Sequence, residues 1–313
     1  MRILFAATPG IAVPTLRALA ASGHSVSVLT TMPAPTGRGG RLLPSEIDRE
    51  ATGLGLECVR AEKLDGGVRS LLEGRFDLLV SFAFGKIFGP KFLGLFPRGG
   101  LNVHPSLLPR WRGPSPLAAA IRACDSQTGL SLQWLDLEMD KGDLLFQTHR
   151  PLEGTETTAL LSLWAAEAAP GALLPVLAAL ESGKATSWRQ EESLATYCSL
   201  IQKTDGRLDW SRSARELDAL VRASNPWPGA TTFWNRHPLT FWDSRHCLET
   251  TEDAKHPPGT VLRLDKSTGL LIKTGDGLLV ARELQLPARK SLDYRSFLNG
   301  SPGLIGSLLG DAS

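Results

Sequence analysis

The residues best placed to do chemistry lie in one stretch, LNVHPSLLPRWRGPSP at 101–116. Side chains alternate faces along a strand, so Asn102 and His104 point to one side and Val103 to the other. An amide and an imidazole then project together while the valine enters a core. Asn suits strands poorly, so this pair predicts a cleft at a carboxyl strand end, where open α/β sheets bind ligands. The amide offers a donor with no charge to bury; the imidazole can donate or move a proton. Pro105 and Pro109 bracket Ser-Leu-Leu and predict a stiff, extended loop with unpaired backbone available to a ligand. Four acids, Asp136, Glu138, Asp140 and Asp143, follow in LDLEMDKGD. Their spacing leaves open which one works with the amide and imidazole.

The run NVHPSLLPRWRG resembles the signature of the folate-dependent formyltransferases, Asn-x-His followed at once by Ser-Leu-Leu-Pro and a basic-Gly segment. Matching MDKGD to the family's Met/Val-Asp-x-Gly implies Asp140 as the acid, with Gly142 permitting a tight turn beside it. The resemblance thus implies a catalytic set of Asn102, His104 and Asp140. It also implies that Ser106, Leu107, Leu108 and Pro109 bind 10-formyltetrahydrofolate. The implied reaction moves a formyl group to an amine, which requires a stabilised oxyanion and a route for one proton. Arg110 and Arg112 are candidates for the folate glutamate tail or an RNA phosphate.

These groups need a scaffold. Residues 2–6, 24–31, 76–82 and 100–103 read as strands, separated by helix-like segments ending at Leu19 and covering 44–54 and 68–72. Strands alternating with helices predict an α/β, Rossmann-like, mostly parallel sheet with right-handed crossovers. No Gly-x-Gly-x-x-Gly follows the first strand, so no nicotinamide or flavin site is expected. Residues 117–123 read as a short helix, and strands at 129–135 and 143–149 flank the Asp140 loop. A helix-prone run at 157–180 is interrupted at Pro170-Gly171. The polar stretch 183–203 reads as a linker between a catalytic domain at 1–182 and a C-terminal domain at 204–313. In the latter, a helix at 213–223, a rigid Asn-Pro-Trp-Pro-Gly turn at 225–229 and five short strands suit a partly open, OB-like barrel.

Composition bounds the rest. The 313 residues are 42% hydrophobic and 21% charged, ordinary for a globular protein of two domains. Cutting after Lys203 gives 20 Lys/Arg against 19 Asp/Glu, then 14 against 13, so bulk charge gives no hint of nucleic acid and any such binding must use local patches. Cys58, Cys124, Cys198 and Cys247 are scattered, which argues for a reducing cytoplasm and against zinc or a disulfide frame. His24, His149, His237, His246 and His256 show no ligand spacing, and no metal is expected. No signal peptide and no membrane-spanning run is read, and a monomer is expected.

Two features imply a partner. TMPAPTGRGGRLLPS at 31–45 is similar to the Gly-Arg-Gly-rich insertion by which the methionyl-tRNA branch of the family engages the tRNA acceptor end. Gly37, Arg38, Gly39 and Arg41 match its core. Lys203, Asp205-Gly206, Asp209-Trp210 and NPWPGA resemble landmarks of that branch's second domain. The resemblance therefore implies a charged initiator tRNA as acceptor. Ala7, Phe84 and Pro105 depart from the family's usual Gly, Tyr and Gly. By placement, Arg282, Arg289 and Lys290, with Arg245 and His246, predict a local basic patch for RNA. The alternatives are the same chemistry on an amino-sugar nucleotide or on water, and a non-catalytic nucleic-acid-binding protein. The Arg38 loop and the C-terminal domain weigh against the first two, the intact polar trio against the last.

Overall fold

The computed structural model describes residues 1–36, 40–248, 250–251 and 253–310. It divides into two compact units. The first comprises Met1–Pro116, Gln127–Pro151 and Ser162–Ser199; the second comprises Leu117–Ser126, Leu152–Leu161 and Leu200–Ser313.

The first unit opens with β1 (Arg2–Ala7), α1 (Val13–Ala20) and β2 (Ser25–Thr30). A short hairpin of β3 (Ala34–Thr36) and β4 (Arg41–Leu43) precedes α2 (Glu46–Gly53) and β5 (Cys58–Arg60). Then come α3 (Gly66–Leu72), β6 (Leu78–Phe82), α4 (Pro90–Leu93) and β7 (Gly100–His104). After α5 (Pro116–Arg122), which from Leu117 onward belongs to the second unit, β8 (Gln127–Trp134) and β9 (Leu144–Pro151) lead into α6 (Thr158–Glu181).

One seven-stranded sheet runs in the order β5-β2-β1-β6-β7-β8-β9. It is parallel from β5 to β7, as the alternation of strands and helices requires, and antiparallel across β7-β8-β9. All five residues of β6 are buried, which fits a strand covered on both faces. Chain order reverses between β1 and β6, the kind of switch point at which such sheets open a crevice. Thr8 Oγ1 donates to Phe84 O at 3.4 Å and ties the loops beyond these two strands together.

Two expectations change. The run at 157–180 is one continuous helix of 24 residues that carries Pro170 and Pro175 inside it. Joined this way, it becomes long and apolar enough by composition to cross a membrane, where the interrupted reading found no such run. Leu161, Ala165, Ala169, Leu173 and Leu177 are fully or almost fully buried, four residues apart, as on the inner face of a core helix. The Gly/Pro-rich stretch at 31–45 contains the β3–β4 hairpin. Gly37, Arg38 and Gly39 lie outside the described residues, and Arg41 opens β4.

The second unit is an antiparallel sheet rather than a closed barrel. It contains α7 (Ala214–Ala223), β10 (Ala230–Trp234), β11 (His237–Cys247), β12 (Val261–Asp265), β13 (Gly269–Lys273), β14 (Leu278–Gln285), β15 (Leu292–Asp293) and α8 (Tyr294–Asn299). The strand order is β10-β11-β14-β13-β12, with β15 beside β14, and no pairing joins β10 to β12 among the described residues. Ser213 caps α7 by accepting from Glu216 N, while the Glu216 carboxylate reaches back to Ser213 N. Leu217, Leu220 and Val221 of α7 then enter a core with Trp210, Phe241 and Leu270. Trp210 and Phe241 meet edge to face, their centroids 5.9 Å apart. Because Phe241 is fully buried against that indole, Phe241→Ala is expected to lower unfolding stability by about 3–5 kcal/mol in urea denaturation. A loss under about 1 kcal/mol would place the core elsewhere.

Candidate active site

Cross-strand partners share a face of a sheet. In β6, β7, β8 and β9 the register pairs Ser81 with Asn102, Asn102 with Gln133, His104 with Ser131 and Ser131 with Gln147. A polar stripe therefore runs across four strands, while Val103 and Leu132 are buried on the opposite side. The Asn102–His104 alternation read from the sequence is one row of this stripe.

Asp140 folds back onto it. Its backbone is left-handed, with φ +55°, a conformation uncommon outside glycine. Its carboxylate accepts from Asn102 Nδ2 at 3.2 Å, Gln133 Nε2 at 2.9 Å and Gly113 N at 2.8 Å. His104 Nδ1 lies 3.6 Å from Asp140 Oδ1. His104 Nε2 is 2.9 Å from Trp111 O; a carbonyl only accepts, so that nitrogen carries a proton. The three residues singled out for catalysis thus converge on one carboxylate. Two of the three competing acids are engaged elsewhere: Asp136 Oδ1 accepts from Leu137 N at 2.5 Å and Glu138 N at 3.3 Å, and Glu138 pairs with Lys141 at 2.6 Å. Gly142 makes the turn feasible, because a Cβ there would stand 1.8 Å from Trp134 O.

The loop after β7 corrects one expectation. Its backbone is not left unpaired. Ser131 Oγ donates to Ser106 O at 2.6 Å and accepts from Leu108 N at 3.0 Å. Gln147 Nε2 donates to Leu108 O and to Ser131 Oγ, both at 2.8 Å. Ser106 Oγ donates to Arg110 O at 2.6 Å, and Thr196 N to Pro109 O at 3.2 Å. Ser106 and Leu108 are buried, whereas Leu107 and Pro109 are half-buried. Physical chemistry explains the change: a buried amide without a partner is costly, so the sheet supplies partners.

Arg112 is the second correction. It is not available to a folate tail or a phosphate, since its side chain is 1% exposed. It donates to both oxygens of Glu192 at 2.9 Å, to Gln190 Oε1 at 3.0 and 3.2 Å, and to Tyr197 OH at 2.9 Å. Hydrogen bonds from that guanidinium hold the Glu192 carboxyl below its usual range. Arg110 stacks its guanidinium over the Trp111 ring at 4.6 Å. The partners of Arg112 come from 190–197, inside the stretch read as a linker, and Trp188 exchanges both backbone hydrogen bonds with Leu144.

Of the residues singled out for RNA, Arg289 and Lys290 are exposed in the connection between β14 and β15. Arg245 and Arg282 are on the paired strands β11 and β14. Both face Asp243, at 3.0 and 3.5 Å, so that part of the patch is partly neutralised. Sequence reading passed over Ser131, Gln133, Gln147 and Gln190. The first two left a signal, since they alternate in GLSLQW as Asn102 and His104 do in LNVH; Gln190 left none. Among the described residues, no group of His, Cys, Asp and Glu could hold a metal ion.

The family model described as Formyl transferase matches residues 1–177, and that described as Formyl transferase, C-terminal domain, matches 200–302. The methionyl-tRNA formyltransferase of Treponema denticola is 43% identical, covering 97% of this chain and 98% of its own. That of Borrelia hermsii is 36% identical, covering 98% and 99%. The fold is similar to WlaRD, a sugar 3N-formyl transferase solved in the presence of dTDP and 5-N-formyl-THF. There the TM-score is 0.67 at 16% identity, over 93% of this chain and 99% of that one. HypX of Aquifex aeolicus in complex with tetrahydrofolic acid aligns with TM-score 0.60 at 18% identity, over 98% of this chain and 48% of that one. These two likenesses concern the fold alone.

Because fully buried Ser131 satisfies both Ser106 O and Leu108 N, Ser131→Ala leaves two buried groups unpaired. The variant is expected to lose about 1–3 kcal/mol of stability, and its Leu108 amide to exchange hydrogen faster than wild type. Unchanged protection at Leu108 would show that the loop is held by something else.

Proposed function

Because the chain belongs to the formyl transferase family, we propose that it transfers the formyl group of 10-formyltetrahydrofolate to the amino group of methionyl-initiator tRNA. The observation that carries this is the convergence of Asn102 and His104 on the Asp140 carboxylate, at 3.2 and 3.6 Å, in a chain alike end to end to methionyl-tRNA formyltransferases. The folate supplies the formyl carbon; the rest of the step falls to the protein. Asn102 Nδ2 spends one hydrogen on Asp140 and has a second to aim at the oxygen where charge develops. Asp140 orients the attacking amine, and its pairing with His104 Nδ1 takes up the proton the amine releases and returns it to the folate nitrogen as the formyl C–N bond breaks. The half-buried Leu107 and Pro109 offer an apolar surface for a flat ring, on a loop that Ser106 and Leu108 anchor to the sheet.

In this reading the catalytic domain is 1–182, joined through 183–203 to an OB-like tRNA-binding domain at 204–313. Arg38 and Arg41 contact the acceptor end; Arg289 and Lys290 contact tRNA phosphates. The enzyme acts as a monomer in the cytoplasm and binds no membrane, with α6 serving as a core helix. A purified assay tests the reading directly: formyl transfer to charged initiator tRNA is expected, and transfer to an amino-sugar nucleotide or to water is not. Activity toward either alternative acceptor alone would overturn it.

Two further outcomes follow from the assigned roles. Asn102→Ala, His104→Ala and Asp140→Ala are each expected to cut turnover about a hundredfold or more, since one missing oxyanion donor raises a barrier by about 3 kcal/mol. Near-wild-type turnover would remove that residue from the mechanism. Reversing Arg289 and Lys290 to Glu is expected to raise the tRNA KM, leave folate affinity unchanged and shallow the log–log salt dependence by about 0.7–0.9 per lost phosphate contact. An unaltered salt slope with normal tRNA kinetics would leave those two residues without a part in RNA binding.

A further inference from the structure

Gln190 sits where the loop carrying Arg112 and the turn carrying Asp140 come together. Its amide orientation follows from its neighbours. Arg112 only donates, and it reaches Gln190 Oε1 with Nε at 3.2 Å and with a terminal nitrogen at 3.0 Å. The Gln190 NH2 group therefore faces the other way. It donates to Asp140 O and Gly142 O, each at 2.8 Å, with Gln133 Oε1 at 3.2 Å as a third acceptor.

Both carbonyls belong to the turn that holds the Asp140 carboxylate. That turn holds Asp140 in the left-handed region, at φ +55°, which Asp tolerates better than most non-glycine residues. It is closed on the far side by Trp134 O, which would stand 1.8 Å from any Cβ at Gly142. One side chain thus ties the Asp140 backbone to a buried guanidinium, while Gln133 ties the Asp140 carboxylate to β8. We propose that Gln190 is a positioning residue for formyl transfer, fixing Asp140 through the carbonyls of Asp140 and Gly142. The inference rests on the formyl-transfer reading above for its effect on rate, though not for its effect on the position of Asp140.

Two variants test it. Gln190→Ala removes every contact. Gln190→Glu keeps the size and the bonds to Arg112 but turns an oxygen toward two carbonyls. Both are expected to lower kcat at least about tenfold, because a misplacement of about 1 Å at a reacting group is costly. The KM values for folate and methionyl-tRNA should stay within about twofold, since Gln190 touches neither substrate in this scheme. With Asp140→Asn as background, Gln190→Ala should slow the enzyme no further. A wild-type kcat in folded Gln190→Glu, or a fully multiplicative loss in the double variant, would overturn the proposal. Hydrogen exchange at Gly113, whose N–H donates to Asp140 Oδ2 at 2.8 Å, reads the position of Asp140 without any substrate. It should be faster in either variant, and equal protection in variant and wild type would also overturn the proposal. If wild-type protein transfers no formyl group while Gly113 is deprotected in the variants, the reaction reading fails and the coupling to Asp140 stands.

Discussion

The site hangs on one half-buried carboxylate. The Asp140 side chain is 12% exposed, and a charge taken that far from water is tolerated only with partners. Each neighbouring segment supplies one: β7 through Asn102, β8 through Gln133, and the loop after β7 through the Gly113 amide. Asp140 is therefore a structural knot as well as a chemical group. Loss of any one donor leaves the charge less compensated, and the segments it gathers lose their common point.

The polar stripe across β6 to β9 explains how such a point arises within a hydrophobic fold. One face of each strand packs apolar residues, so the other face is free to line up Ser81, Asn102, Gln133, Ser131 and Gln147 in register. Ser131 and Gln147 then spend their hydrogen bonds on the backbone of the loop after β7. The loop is held before any substrate arrives. Donors that need no rearrangement at the moment of reaction are the ones that lower a barrier most.

The second unit uses charge differently. Its core is closed by apolar side chains from α7 and the antiparallel sheet, and its cations are not uniformly open to solvent partners. Asp243 draws on both Arg245 and Arg282 and offsets part of their charge, whereas Arg289 and Lys290 are exposed on the loop after β14. A chain with nearly balanced totals can still present a local positive surface, but a smaller one than a count of arginines suggests.

Much of this was legible in the residues themselves. The alternation of strands and helices indicated a mostly parallel sheet in the first unit, though not its strand order, because burial patterns depend on neighbours one to four positions away. The alternation of Asn102 and His104 placed both on one face, and the match of MDKGD to a family pattern selected Asp140. Other features depended on parts of the chain far apart. Asp140 meets Asn102 across 38 residues and Gln190 across 50, and neither separation is marked by any local pattern. The backbone of the loop after β7 looked unpaired because its partners, Ser131 and Gln147, lie on strands that reach it only in the folded sheet. Arg112 looked like a surface cation because the residues that bury it come from 190–197, a stretch too irregular to read. Residue type and spacing determined which chemistry this protein could hold. Packing alone decided which groups are spent on structure and which remain for a substrate, since hydrogen-bond partners and burial are properties of the assembled fold.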